Sequence, residues 1–240
     1  MAGWQLVISG DPVLAAIVLR SLSLSASATL LACMLGAIIG SWLAVARFSG
    51  RAFVLAVLNT LLSLPSVVVG LVVYLLLSRS GPLGFLGWLY SFKAMLLAQT
   101  VLILPIVVAL VRQVVEDAYA AHGEQLRSLG ASPRLCGLLL AWDERAALVT
   151  VALAAFGRAI AEVGAVMLVG GNIDGFTRVM TTSIALETSK GDLPLAFGLG
   201  LVLLAVVLLL QGMIAIADHF WVKAGEGRPA SYRSAPVGTA

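Results

Sequence analysis

Two oppositely charged residues, Arg158 and Glu162, lie four positions apart inside a long apolar stretch. Residues at this spacing share one face of an α-helix, so their side chains can form an ion pair. Ionisable side chains at membrane depth face a bundle interior or a wet cavity, because exposing them to lipid is costly. The spacing therefore predicts either a structural pair between helices or, through Arg158, part of an anion path.

A second polar cluster lies in the segment GGNIDGFTRVMTTSIALETSKGD, which begins at Gly170. Hydroxyl and amide donors beside a single cation suit an oxyanion better than a metal ion, which would need clustered carboxylates. The alternative is a plain solvated loop. As a possible external anion funnel, the segment offers Asn172, Thr177, Arg178, Thr181 and Thr182.

A long polar insert, residues 116–145, separates the third and fourth apolar stretches. Its pattern predicts two helices, at 116–129 and 134–141. Between them Gly130 suits a helix C-terminus, Ser132 an N-cap and Pro133 a first helical position. The insert therefore predicts a compact helix–turn–helix of a shape that fits a groove on a soluble partner.

The sequence offers no site for covalent chemistry. None of its lysines follows a glycine, as the phosphate-binding G-K-[ST] pattern requires, so ATP would have to bind another chain. His122 and His219 are isolated, and no metal-ligand cluster or nucleophile–base pair stands out. We therefore expect no catalytic residue, metal site or cofactor in this chain, which disfavours a membrane-embedded enzyme.

The composition predicts an all-α integral membrane protein. Hydrophobic residues make up 60% of the 240 residues, charged residues 11%, and the mean hydropathy is +1.04. Soluble domains are about 45–50% apolar and about 25% charged. In such a chain the net charge of +3 reports membrane topology rather than nucleic-acid binding.

Five segments are long and apolar enough to span a bilayer, which takes about 20 residues. The third and second carry an interior proline, Pro105 and Pro65, which predicts kinks. In the first, Ala32, Gly36 and Gly40 recur at four-residue spacing and would let another helix approach closely. The predicted transmembrane helices are 22–46, 52–77, 94–111, 147–169 and 195–217.

The orientation follows from the basic residues of the loops. Nine Lys and Arg residues lie on the side of the insert, and five on the other side. Basic residues favour the cytoplasm, so the insert and the C-terminus are predicted inside and the N-terminus outside. This divides the chain into an extracytoplasmic segment (1–21), a transmembrane permease domain (22–218) and a cytoplasmic tail (219–240).

The turn of the insert resembles a known motif. EQLRSLGASP, with Glu124 followed six residues later by Gly130, resembles the E-A-A-x-x-x-G coupling motif of type I ATP-binding-cassette importer permeases. Gln125 and Leu126 replace its two alanines, and its later I-x-L-P end reads LAWD here. The resemblance implies a cytoplasmic loop that docks on an ATPase through Glu124, Arg127, Leu129, Gly130, Ala131, Ser132 and Pro133.

A longer stretch narrows the resemblance. GRAIAEVGAVMLVGGNIDGFTRVMTTSIALETSKGD is similar to the oxyanion branch that serves tungstate, molybdate and sulfate, and EVGA, GNI, ALETSKGD and the early SGDP look most like tungstate permeases. The resemblance implies a homodimer in a prokaryotic plasma (inner) membrane and two cytoplasmic ATPase subunits that bind ATP and Mg. It also implies an extracytoplasmic oxyanion-binding protein.

Two questions stay open at this stage. A stand-alone secondary transporter or channel would need no ATPase; such folds show inverted repeats and broken helices, and no repeat is visible here. The three oxyanions are dianions of similar size, so the residues do not rank tungstate above molybdate or sulfate.

Overall fold

The computed structural model describes residues 12–224, with side chains to residue 216, and all regular secondary structure in this range is helical. Predictions about residues 1–11 and 225–240 lie outside the described residues. A 3₁₀ turn, Gly84–Leu86, precedes the fourth α-helix. The α-helices are α1 (Pro12–Val45), α2 (Arg51–Leu62), α3 (Ser66–Leu77), α4 (Phe92–Ser128), α5 (Pro133–Asp143), α6 (Arg145–Ile160), α7 (Gly164–Gly170), α8 (Met180–Lys190) and α9 (Leu193–Ala224).

Three described helices, α1, α4 and α9, are each long and apolar enough to cross a membrane. Two further spans arise if each bent pair of shorter helices counts as one: α2 with α3, bent by 101°, and α6 with α7, bent by 59°. The predicted bundle of apolar helices is confirmed. Five spans is the upper count, and that number stays a prediction.

The second and fourth spans are broken helices, which corrects the sequence prediction of one helix each. α2 ends at Leu62 and α3 starts directly after Pro65. Proline lacks an N–H donor and disfavours helical backbone before it, so it causes a break and not only a kink. The fourth span breaks at residues 161–163, where the sequence has no proline.

The third span and the first helix of the insert are one helix. α4 runs unbroken for 37 residues, through Pro105, to Ser128. At 1.5 Å per residue this is about 55 Å, well beyond the roughly 30 Å hydrocarbon core. The predicted boundary between 94–111 and 116–129 was therefore wrong. As a result, one continuous helix leads from within the bundle to the turn at Gly130.

The small residues of α1 pack against α4, as their spacing predicted. A Cβ on Gly36 would lie 2.6 Å from Val107 Cγ1, and one on Gly40 would lie 2.8 Å from the carbonyl oxygen of Val108. Ala32, one turn before Gly36, is fully buried in the core. Backbones this close gain dispersion contacts that larger side chains would prevent. α1 and α4 therefore form the central pair of the bundle.

Residues predicted on one side of the membrane meet one another. At one end, Arg20 of α1 donates to the carbonyl oxygens of Gly175 (2.8 Å) and Arg178 (3.0 Å). At the other end, Glu116 accepts from Arg51 and Arg112. The helices thus sort the charges into two ends, while the direction across the membrane stays a prediction. The first helix starts at Pro12, earlier than predicted.

Topology can be tested with two exposed serines, Ser80 and Ser132, that lie at opposite ends. In a variant with Cys33→Ala and Cys136→Ala, we expect S80C to react with a membrane-impermeant thiol reagent in intact cells. S132C should react only after permeabilisation. Because both serines are exposed, each is the control for the other, and the reverse labelling pattern would contradict the orientation.

Candidate functional site

The turn that ends α4 has the backbone of a complete Schellman motif. Gly130 has φ +83°, in the left-handed region. Its N–H donates to the carbonyl of Arg127 (3.0 Å), and the N–H of Ala131 donates to that of Leu126 (3.1 Å). These two bonds satisfy carbonyls that a helix end leaves free. The predicted helix C-terminus at Gly130 is confirmed.

The next helix starts as predicted. The Ser132 hydroxyl accepts from the N–H of Leu135 at 3.4 Å, and Pro133 takes the first helical position. α5 then packs tightly on α1, because a Cβ on Gly137 would lie 2.7 Å from the carbonyl oxygen of Ser41. Below, the knob is the end of α4 from Glu124 together with residues 129–132 and α5. It is held against the first span.

The outer face of the knob is unusually apolar for a polar insert. Leu129 is 78% exposed and Trp142 is 72% exposed, and Leu135, Leu138 and Leu139 are also exposed. Among the predicted coupling residues, Ala131 is half-buried, and the others are exposed: Glu124, Arg127, Leu129, Gly130, Ser132 and Pro133. Clustered exposed apolar side chains mark an interaction surface. The knob therefore presents exposed apolar side chains beside its polar ones, and its role as the coupling element stays a prediction.

At the break of the fourth span, Arg158 and Glu162 form the ion pair that their spacing indicates. Arg158 Nη1 lies 2.8 Å from Glu162 Oε2. The Glu162 side chain is 2% exposed, whereas that of Arg158 is 41% exposed. The other carboxylate oxygen of Glu162 accepts from the N–H of Ala165 (3.1 Å), near the start of α7. One buried carboxylate thus neutralises the arginine and caps the second half of the span.

Side chains from other elements form hydrogen bonds with further backbone groups near the break. Gln99 of α4 donates its amide to the carbonyl of Ala159 and, at 3.3 Å, to the Ser25 hydroxyl. The Thr181 hydroxyl donates to the carbonyl of Glu162 (2.7 Å). Sequence reasoning missed Gln99, although an amide in the apolar third span is a visible signal. An orphaned carbonyl at this depth would be costly.

These residues line a small cavity of about 10 Å³, bordered by Ser21, Ser25, Gln99, Glu162 and Thr181. This is room for about one water molecule. Gln99 Oε1 is buried there without a hydrogen-bond partner among the protein groups. The cavity is too small for a tetrahedral oxyanion in this conformation. Whether Arg158 also serves an anion path stays a prediction.

The predicted funnel residues lie around the start of α8 and bond mostly to their own segment. The Thr177 hydroxyl donates to the carbonyl of Gly170 (2.6 Å), and that of Thr182 accepts from the N–H of Val179 (3.1 Å). Asn172 Nδ2 donates to the carbonyl of Thr182 at 3.3 Å. The segment is therefore a folded turn and helix, and not a plain solvated loop.

Arg178 is the charged residue among the predicted funnel residues, and the carboxylate that it pairs with faces solvent. Its Nη1 lies 3.0 Å from Asp174 Oδ1, and Asp174 is 71% exposed while Arg178 is 17% exposed. An exposed carboxylate gains little from such a pair.

Within residues 12–216 no group of three or more His, Cys, Asp or Glu side chains could hold a metal ion.

Known proteins align with this chain over most of its length, although no family model matches it. The tungstate uptake system permease protein of Peptoclostridium acidaminophilum is 39% identical over 213 residues, which cover 89% of this chain and 93% of the relative. A probable anion ATP-binding-cassette transporter permease of Haloferax volcanii is 41% identical, covering 83% and 87%. The tungstate uptake permease of Campylobacter jejuni is 41% identical, covering 69% of each chain.

The chain belongs to the oxyanion permease family of ATP-binding-cassette transporters. Family membership and the apolar helices make it a multi-pass protein of a prokaryotic inner membrane. Permeases of this family work with an ATPase subunit and a substrate-binding protein, so both kinds of partner are implied. These relatives are permease subunits of transporters, without catalytic activity of their own.

The burial of the ion pair predicts unequal effects of removing each charge. Arg158→Gln leaves the buried Glu162 carboxylate without its partner, which costs up to about 3–5 kcal/mol for a buried pair. Glu162→Gln leaves a cation whose side chain is 41% exposed, so we expect a smaller loss. The double variant should be more stable than Arg158→Gln. Thermal unfolding in detergent measures all four proteins, and equal midpoints would rule out a structural role for the pair.

Proposed function

We propose that this protein is the permease subunit of an ATP-driven importer that carries tungstate into a prokaryotic cell. The observation that carries the proposal is the capped knob at the end of an unbroken α4, in a chain 39–41% identical to two tungstate permeases. Its work is conformational: it exposes a pathway to one side of the membrane and then to the other. It needs no catalytic residue of its own.

The working assembly is a homodimer of this subunit with two cytoplasmic ATPase subunits and an extracytoplasmic oxyanion-binding protein. The exposed apolar surface of the broken second span supports a second copy. Helices this apolar on most sides need lipid or another chain around them. The exposed large side chains of this span include Phe53, Val54, Val57, Leu61, Leu62, Val67, Val68, Leu71, Val72, Leu75 and Leu76.

The knob is the element through which the ATPase acts. Its exposed apolar residues Leu129 and Trp142 are suited to a groove on a soluble protein, with Glu124 and Arg127 at the polar rim. Two ATPase subunits, which bind ATP and Mg, would push the knob when they close. Since α4 is continuous from the knob into the bundle, a push on its end moves the third span.

At the end of the bundle opposite the knob, Arg178 is the residue best suited to receive an oxyanion. The exposed Asp174 carboxylate holds Arg178 in the way a bound anion would, and this weak pair can be exchanged. In this proposal the binding protein releases tungstate near Asn172, Thr177, Arg178, Thr181 and Thr182. A rearrangement of α8 would free their hydroxyl and amide groups for the anion.

The alternative is a stand-alone secondary anion transporter or channel. The two broken spans favour it, since discontinuous helices are common in secondary transporters. The knob argues the other way, because a transporter without an ATPase has no use for an exposed apolar docking face.

Uptake of tungstate separates the two functions. In cells that lack their own tungstate, molybdate and sulfate permeases, we expect the chain to restore tungstate uptake only when its ATPase and binding-protein partners are co-expressed. An excess of molybdate or sulfate added in the same assay tests whether uptake is selective for tungstate. Uptake by the chain alone would overturn the importer and support the secondary transporter, and preferential uptake of molybdate or sulfate would replace tungstate as the substrate.

Gly130 tests the knob, and the chain supplies a matched control. Gly130 and Gly191 both have φ +83°, and a Cβ added at either position would have no atom within 4 Å. Valine at either position should cost about 1–2 kcal/mol of backbone strain. We expect Gly130→Val to lose ATPase co-purification and uptake, whereas Gly191→Val, at the opposite end, keeps co-purification. Equal binding of the ATPase by both variants would refute docking through the knob.

A further inference from the structure

Glu116 of α4 bonds to two arginines at the end of the bundle that carries the knob. Its Oε1 accepts from Arg51 Nη2, and its Oε2 accepts from Arg112 Nη1 at 2.5 Å. All three side chains are partly buried, with exposed fractions between 22% and 32%. Arg51 also reaches the carbonyl oxygen of Leu43 in α1 with Nε and Nη2, each at 3.4 Å.

The two arginines differ in what the bond to Glu116 can do. Arg112 lies on α4, one turn before Glu116, so their pair remains within one helix. Arg51 is the first residue of α2, so its pair with Glu116 joins two helices that are far apart in sequence. Only the second bond can carry a displacement of α4 to another element.

α2 has few other attachments within the described part of the chain. Leu58 is the one residue of α2 that is buried there, in a cluster with Leu43 of α1 and Val108 of α4. Beyond Leu62 the chain bends by 101° into α3, so α3 does not extend α2 as a rigid rod. α2 is therefore held by an apolar contact near its middle and, at its start, by Arg51, which bonds to Glu116 and to the Leu43 carbonyl.

Glu116 is joined to the first coupling residues, Glu124 and Arg127, by continuous helix. Glu116 and Glu124 lie on the same uninterrupted helix, about 12 Å apart along its axis at 1.5 Å per residue. A displacement of the knob therefore displaces Glu116 without a hinge between them. Through Arg51 the displacement reaches the first half of the broken second span, where the bend at Ser63–Pro65 allows α2 to swing against α3.

We propose that the Glu116–Arg51 ion pair transmits movement of the knob to α2, so that ATP-driven closure of the ATPase swings the first half of the second span. This inference rests on the proposed function. Glu116 and Arg51 are positioning residues: they contact neither the anion nor the ATPase in this scheme. Their bond converts a push on α4 into a movement of the first half of the second span.

The variants Arg51→Gln and Glu116→Gln remove the link, and Arg112→Gln is the matched control. In vesicles containing the complete complex, both ATP hydrolysis and tungstate uptake are measured. We expect the two link variants to keep ATP hydrolysis but to lose at least about 5-fold in tungstate moved per ATP. Arg112→Gln should stay within about 2-fold of the wild type. An unchanged ratio in both link variants would refute the inference.

Arg51→Lys keeps the positive charge and tests whether the ion pair with Glu116 is the link. If it is, the lysine variant should retain most of the wild-type uptake per ATP. If Arg51→Lys is as uncoupled as Arg51→Gln, a positive charge at this position does not link the helices and the proposal is wrong. Absence of ATP-dependent uptake by the wild-type complex would instead refute the importer function itself.

A distance measurement tests the movement without relying on transport. Spin labels at Phe53 in α2 and Asp117 in α4, both exposed, report how closely the two helices move together. In the wild type and in Arg112→Gln we expect one narrow distance distribution with and without ATP. In Arg51→Gln the distribution should broaden or shift when ATP is added. An equally narrow distribution in Arg51→Gln under both conditions would show that the ion pair does not hold α2 to α4.

Discussion

Backbone groups at membrane depth must find hydrogen-bond partners within the protein, and this requirement organises the fourth span. The chain leaves helical geometry at residues 161–163, between α6 and α7. Gln99, Glu162 and Thr181 bond to backbone groups around this gap, and Ser21 accepts from the N–H of Met180 nearby. Side chains from the first span, the third span and α8 therefore meet at one place. A broken span in lipid is stable only with such support, so the break also fixes how these elements pack.

The same cluster shows how a charge can be kept in an apolar span. Glu162 is almost fully buried, yet its two carboxylate oxygens have an arginine and a backbone N–H as partners. Arg158 needs less from the pair, because 41% of its side chain remains exposed. The carboxylate thus depends on the arginine more than the arginine depends on the carboxylate. Burial, and not the spacing alone, sets this asymmetry.

This permease combines closely packed helices with a loosely attached one, which suits a protein that works by changing its conformation. α1 and α4 approach so closely at Gly36 and Gly40 that side chains larger than glycine would collide with α4. α4 then continues without interruption to the knob. α2, by contrast, buries a single residue and meets α3 at a sharp bend. A force applied at the knob would therefore act first on the closely packed pair of α1 and α4. It would act next on α2, the loosely attached first half of the second span.

The sequence by itself determined the features that depend on neighbouring residues: apolar stretches long enough to span a bilayer, the caps at Gly130 and Ser132, and the pairing of Arg158 with Glu162 four positions later. It also indicated the small-residue face of α1. Only the tertiary structure decided that the fourth span breaks without a proline, because the partners that stabilise the break come from Gln99 and Thr181, which are distant in sequence. It likewise decided that the polar residues after Gly170 bond mostly to their own segment, and that α4 remains helical through Pro105 into the insert. Local patterns report which groups can form bonds, whereas the fold selects which partners lie within reach.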